Sequence, residues 1–124
     1  FNMTANKRYQ IRGTIYASSD TLTTGVQIHA KTGTVTFIML RALAPSSATA
    51  WAFSNVTTAT DSIECVHAIV KSMPFPITFE GSVTCGGSDA VFKLGHRKEM
   101  VSMGQASNNQ VIFRESVLQY RLAN

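Results

Sequence analysis

Hydrophobic and polar residues alternate with a period of two along most of this chain. Lys7–Ala17 is the clearest stretch: Tyr9, Ile11, Gly13, Ile15 and Ala17 share one side, and Arg8, Gln10, Arg12, Thr14 and Tyr16 the other. Side chains on a strand flip face at every residue, so this pattern predicts a half-buried strand of an antiparallel sheet. A second alternating segment starts at Gly25, with Val26, Ile28 and Ala30 against Gln27, His29 and Lys31. Thr32-Gly33 then predicts a tight hairpin connection. Thr34–Leu43 is apolar on both faces from Phe37 to Leu40, which predicts a central strand or one buried at an interface. Trp51 and Phe53 share a face of a short strand. Ile63–Val70 is again apolar on both faces, and its Val, Ile, Cys and His content favours strand over helix.

Prolines at Pro74 and Pro76 are expected to break the ladder around Ser72–Pro76. Ile77–Cys85 alternates well. Gly86-Gly87-Ser88-Asp89 predicts a hairpin with Val91–His96 as the partner strand, Phe92 and Leu94 inward. Arg97–Asn109 is irregular, with one helical turn possible over Glu99–Met103. Gln110–Leu122 reads as a long strand whose inward face changes from Val111 and Phe113 to Leu118, Tyr120 and Leu122. A bulge or bend near Glu115-Ser116 would explain the change. About eight strands with turns every 8–15 residues predict an all-β fold: one β-sandwich domain over 1–124, an eight-stranded jelly roll by default.

Composition fits that picture. The 124 residues suffice for one domain with its own core, and only 15% are charged. No apolar run approaches the ~20 residues of a helical membrane span, so no membrane partner is expected. The net charge is +4, spread along the chain, with His96-Arg97-Lys98 as its one local cluster. A nucleic-acid binder usually concentrates charge between aromatic platforms, and no such pattern is visible, so no nucleic-acid partner is expected. Cys65 and Cys85 lie in apolar strand patterns that suit free buried thiols; a single bridge between them is the alternative.

Candidate chemistry is sparse. His29, His67 and His96 have no metal-ligand spacing, and a Cys65–His67 pair does not make a complete site. Glu64 and Glu80 would face each other if their strands paired, and a glycosidase needs such a pair in an aromatic-walled cleft. Gly86-Gly87 lacks the Lys-Ser/Thr and the helix of a phosphate loop. Asn2-Met3-Thr4 and Asn55-Val56-Thr57 are glycosylation sequons, a pattern short enough to arise by chance. No catalytic residue, metal ligand or cofactor site is expected, and the chain reads as a non-enzyme.

A resemblance carries the reading further. Met3-Thr4-Ala5-Asn6-Lys7-Arg8-Tyr9-Gln10-Ile11-Arg12-Gly13-Thr14-Ile15-Tyr16 resembles the T-A-(G/N)-x-x-Y-x-(F/I)-x start of a β-domain in tailed-bacteriophage virion proteins. Thr23-Thr24-Gly25-Val26-Gln27-Ile28 is similar to the T-T-G-(L/V)-x-(F/I) that follows it. Ile77-Thr78-Phe79-Glu80-Gly81-Ser82-Val83 resembles the later strand with its E-G centre, and Arg114–Leu122 the closing G-S-x-L-x-x-x-R-L strand, with Glu115 in place of the glycine. The resemblance implies a β-sandwich of phage head and tail structural proteins, often trimeric, with no catalytic residues to carry over. The expectation is a capsid decoration (cementing) protein located in the virion, a homo-oligomer whose partner is the major capsid protein or another virion protein. A head-fibre, tail-fibre or tail-protein domain is the alternative within that class. A carbohydrate-binding module, with a glycan on Trp51, Tyr16 or Tyr120, is the alternative outside it. Candidate interface residues are Arg8, Arg12, Tyr16, Trp51, Arg97 and Lys98.

Overall fold

The computed structural model describes residues 1–19, 26–32, 35–47, 49–58, 62–65, 73–98, 110–112 and 116–123; at 26–32, 62, 64–65, 96–98 and 110–112 the description is of the backbone. Ten strands and no helix are present among the described residues: β1 (Asn2–Met3), β2 (Arg8–Ser19), β3 (Val26–Thr32), β4 (Val35–Pro45), β5 (Trp51–Val56), β6 (Ser62–Cys65), β7 (Phe75–Cys85), β8 (Ala90–Lys98), β9 (Gln110–Ile112) and β10 (Val117–Leu122). They form two antiparallel sheets. The smaller has the order β1-β8-β3-β6; the larger has the order β10-β2-β7-β4-β5, with β9 also paired to β2.

Both sheets contribute to one core. Tyr9, Ile11 and Ile15 of β2, Ile38 and Leu40 of β4, and Phe75, Ile77 and Phe79 of β7 join Met3, Ile63 and Phe92 of the smaller sheet. This arrangement is consistent with a β-sandwich. The alternation expected over Lys7–Ala17 holds: Tyr9, Ile11, Ile15 and Ala17 are buried, and Arg8, Gln10, Arg12 and Tyr16 are exposed. Phe92 is buried and Leu94 packs partly against the core, as their inward placement anticipated.

The connections correct several expectations. The Gly86–Asp89 turn does not close a hairpin: β7 pairs with β2 and β4, whereas β8 pairs with β3 and β1. Both sides of β7 are already occupied, so the turn carries the chain from one sheet to the other. The same holds around Thr32-Gly33, since β3 and β4 lie in different sheets. Among the described residues the one pair of consecutive strands that hydrogen-bonds is β4–β5, from Pro45↔Trp51 to Leu40↔Val56.

Pro76 does not break the ladder; it sits inside β7, opposite Tyr16. The pairing of β7 with β4 ends at Thr78, so the missing N–H falls where β7 has one neighbour instead of two. The final strand is split. β9 and β10 both pair with β2, but Ile112↔Ala17 and Val117↔Thr14 differ in register by two residues. An irregularity between them was expected, but not its form. Two extra residues preserve the facing, and Ile112, not Val111, stands opposite the inward Ala17.

Glu64 lies on β6 and Glu80 on β7, in different sheets, so the two carboxylates are not cross-strand partners and the glycosidase arrangement fails. Cys85 is a buried free thiol, its Sγ 3.2 Å from the Ser88 carbonyl oxygen. His67, Val66–Val70 and the Glu99–Asn109 stretch lie outside the described residues.

The start of β2 is held by local hydrogen bonds. Asn6 takes a left-handed φ of 61°, as the turn over Thr4-Ala5-Asn6 requires, and its N–H donates to the Gly86 carbonyl at 2.9 Å. The Ala5 N–H donates to Asp89 Oδ1 at 2.8 Å, and the Thr4 N–H to the Tyr9 hydroxyl at 2.8 Å. Asp89 thus caps backbone, the role its turn position suggested, but across the chain and not within its own loop.

Candidate functional site

Strand alternation and register together build the exposed face of the larger sheet. Opposite residues in an antiparallel pair project to the same side. One row across the strands is therefore Gln119, Arg12, Glu80, Arg41 and Asn55. The row beside it is Arg121, Gln10, Ser82 and Met39, and beyond that Arg8, Thr84 and Phe37. On the other side of the central row lie Val117, Thr14, Thr78, Leu43 and Phe53.

Among the described residues, four arginines therefore share this face with one carboxylate, Glu80. Arginines far apart in the sequence are thus neighbours on one face of the fold. Arg8 and Arg12 were foreseen at this surface; Arg41 and Arg121 were not. Both are far in sequence from Arg8 and Arg12, and only pairing of β4 and β10 into this sheet brings them alongside. The faces of single strands were legible, but the order of strands was not.

The side chains are organised within the face. Arg12 Nε donates to Gln119 Oε1 at 3.0 Å, and Arg121 Nε donates to Gln10 Oε1 at 2.6 Å. Both pairs tie β10 to β2 on the solvent side and fix the azimuth of each guanidinium. The Arg41 guanidinium lies 3.7 Å from the centre of the Phe53 ring, and that of Arg8 4.9 Å from Phe37. Such contacts hold cation and ring together at about 0.5–1 kcal/mol when exposed.

The face has two characters. Toward β4 and β5 it carries exposed apolar side chains on either side of Arg41 and Asn55: Met39, 53% exposed, on one side, and Phe53, 57%, and Trp51, 43%, on the other. Toward β2 and β10 it is hollowed and carries most of the charged and amide side chains. A groove of about 1020 Å³ runs there, its polar lining Gln10, Arg12, Arg41, Glu80, Ser82, Gln119 and Arg121 and its apolar lining including Met39, Leu118 and Tyr120. A smaller hollow of about 580 Å³ adjoins it across the Arg12–Glu80–Arg41 row and reaches Phe53 and Val117.

Of the expected interface residues, Arg8, Arg12, Tyr16 and Trp51 come together on this sheet face. Arg97 and Lys98 do not. They stand at the end of β8 in the smaller sheet, opposite Gln27 and Val26 of β3. Tyr120, expected as a free stacking platform, is occupied: its ring stacks on Phe1 with centroids 3.9 Å apart. Among the described residues no three His, Cys, Asp or Glu side chains are grouped as a metal-ligand set.

No family model, curated protein or solved structure matches this chain.

Proposed function

We propose that the chain is a non-enzymatic structural protein of a tailed-phage particle, a capsid decoration protein that stabilises the head through subunit contacts. Two lines support this reading. One is the resemblance of the Met3–Tyr16, Thr23–Ile28, Ile77–Val83 and Arg114–Leu122 motifs to phage virion β-domains. The other is strand order. β1 pairs β8, β2 pairs β7, β3 pairs β6 and β4 pairs β5. Those four pairings are what one long antiparallel ribbon makes when folded at β4–β5. Wrapping the ribbon so that β8 meets β3 and β7 meets β4 gives the sheets 1-8-3-6 and 2-7-4-5, the topology of an eight-stranded jelly roll, a fold used by viral capsid domains. β9 and β10 extend it beside β2.

The observation that carries the assembly role is the apolar half of the exposed face. Trp51 and Phe53 are large, lie two residues apart on the same face of β5 opposite Pro45 and Leu43, and are 43% and 57% exposed, Phe53 with Arg41 against one side of its ring. Contiguous patches of this kind mark protein interfaces, and aromatic residues at their centres dominate binding. The homo-oligomer, taken as a trimer, and the contact with the major capsid protein both use this patch.

The test is addition of purified protein to expanded, undecorated tailed-phage capsids, followed by sedimentation. Saturable binding in fixed ratio to capsid subunits is expected, with loss of binding in the Trp51→Ala/Phe53→Ala double variant at unchanged thermal stability. Absence of binding to any shell, or equal binding by the double variant, would refute it. A strict monomer in light scattering at high concentration would remove the homo-oligomer.

A further inference from the structure

We propose that the groove between β10 and β4 binds an acidic polysaccharide, a chain whose sugars carry carboxylates and free hydroxyls. Arg12, Arg41 and Arg121 line it, with Glu80, Gln10 and Ser82 between them. Arg12 and Arg121 use Nε on a glutamine, which leaves the paired Nη edge of each guanidinium to present to a ligand. That planar fork matches a carboxylate bidentately.

Spacing decides against a single small anion. Arg12 and Arg41 flank β7, so their backbones stand about 10 Å apart, two inter-strand steps. Arg12 and Arg121 are diagonal neighbours on β2 and β10, about 7–8 Å apart. Guanidiniums so placed are satisfied best by charges repeated along an extended ligand.

The groups between them select the type of ligand. Glu80 sits in the middle of the central row, where it repels a continuous phosphate backbone but accepts from a hydroxyl. The glutamine amides and the Ser82 hydroxyl also pair with hydroxyls. An acidic peptide offers few hydroxyls to these groups. Bases of a single-stranded nucleic acid would need open aromatic faces within the groove, but the aromatic residue that lines it, Tyr120, is stacked on Phe1. The groove does not depend on the virion reading: it uses Arg12 and Arg121, whereas shell binding is assigned to Trp51 and Phe53.

The test is titration calorimetry of the intact chain with polygalacturonate and alginate, against neutral dextran, poly-glutamate and single-stranded DNA. Binding to at least one polyuronate, weakening with added salt, and no binding to dextran are expected. Arg12→Gln and Arg121→Gln should each weaken binding about tenfold or more, the effect of losing one charged bidentate contact. Lys93→Gln, which removes the same charge from the other sheet, should leave it unchanged. Circular dichroism checks each fold, and Arg121 on the edge strand supplies the answer if Arg12→Gln does not fold. Equal or tighter binding of poly-glutamate would reassign the groove to an acidic protein face, and equal binding of DNA to a generic polyanion surface; either overturns the proposal. So would absence of polyuronate binding, or equal weakening by Lys93→Gln.

Discussion

Gly81 supports a quantitative prediction about why the larger sheet closes. It lies in the middle of β7, opposite Ile11 of β2 and Leu40 of β4, at an inward position that would ordinarily hold a side chain. A Cβ there would stand 1.9 Å from the Met39 carbonyl oxygen and 2.8 Å from the Leu40 Cα. Both are backbone atoms of a paired strand, so neither yields by rotating a side chain. Relief requires β4 to move by more than an ångström, which loosens its ladder with β7 and the seat of Leu40, 1% exposed in the core. Overpacking of this kind costs about 1–3 kcal/mol, and the disturbed ladder puts Gly81→Ala at the upper end. At ~2.1 cal/mol/K per residue, a loss of about 3 kcal/mol lowers Tm by roughly 10 °C for a chain this size. Gly87→Ala is the control, because nothing lies within 4 Å of its would-be Cβ. Thermal unfolding followed by circular dichroism compares the two. A Gly81→Ala Tm within about 2 °C of the parent, or a drop matched by Gly87→Ala, would show that the close approach of β4 to β7 does not constrain the fold.

Other consequences follow from the same structure. Phe75→Ala removes a ring that is 1% exposed and should cost about 3–5 kcal/mol, read as a lower urea midpoint at unchanged slope. Cys85 should resist a thiol reagent in the folded protein and react promptly in denaturant, because its thiol is free and buried; rapid native labelling would contradict that burial. Tyr9→Phe deletes the acceptor for the Thr4 N–H and should lose about 1 kcal/mol in denaturant unfolding. Arg121→Gln, by contrast, removes an exposed contact and should change stability by less than about 0.5 kcal/mol.

Period-two patterning made β2 and β7 legible nearly residue by residue, since one face of each strand is buried and the other is not. It failed where the reading required knowing which strands pair. Gly86-Gly87 has the chemistry of a tight turn, but turn chemistry does not say whether the next strand returns beside the last or crosses to another sheet. β7 crosses because β2 and β4 already occupy its two sides, and both are distant in sequence. The apolar outer face of Thr34–Leu43 was read as either central or interfacial. It is central: β4 is flanked by β7 and β5 and its inner face holds Ile38 and Leu40, while Phe37 and Met39 stay exposed on its outer face. The arginine cluster was invisible for the same reason as the sheet order.

The two halves of the exposed face differ in what stability can explain. Exposed hydrogen bonds and cation–ring contacts of the Arg12–Gln119 and Arg41–Phe53 kind are worth little to folding, typically below about 1 kcal/mol. Each side chain held this way also loses up to about 2 kcal/mol of rotamer freedom, so folding gains almost nothing from fixing four arginines on one side. A ligand does gain, because guanidiniums already fixed in place need not be ordered at binding. The same reasoning applies to Met39 and Phe53, whose exposed surface offers nothing to the core but becomes useful when covered. Substitutions on this face should therefore separate cleanly from those beneath it. Phe75, Tyr9 and Gly81 variants alter the unfolding midpoint, whereas Arg12, Arg121, Trp51 and Phe53 variants leave it in place and alter what the folded domain binds.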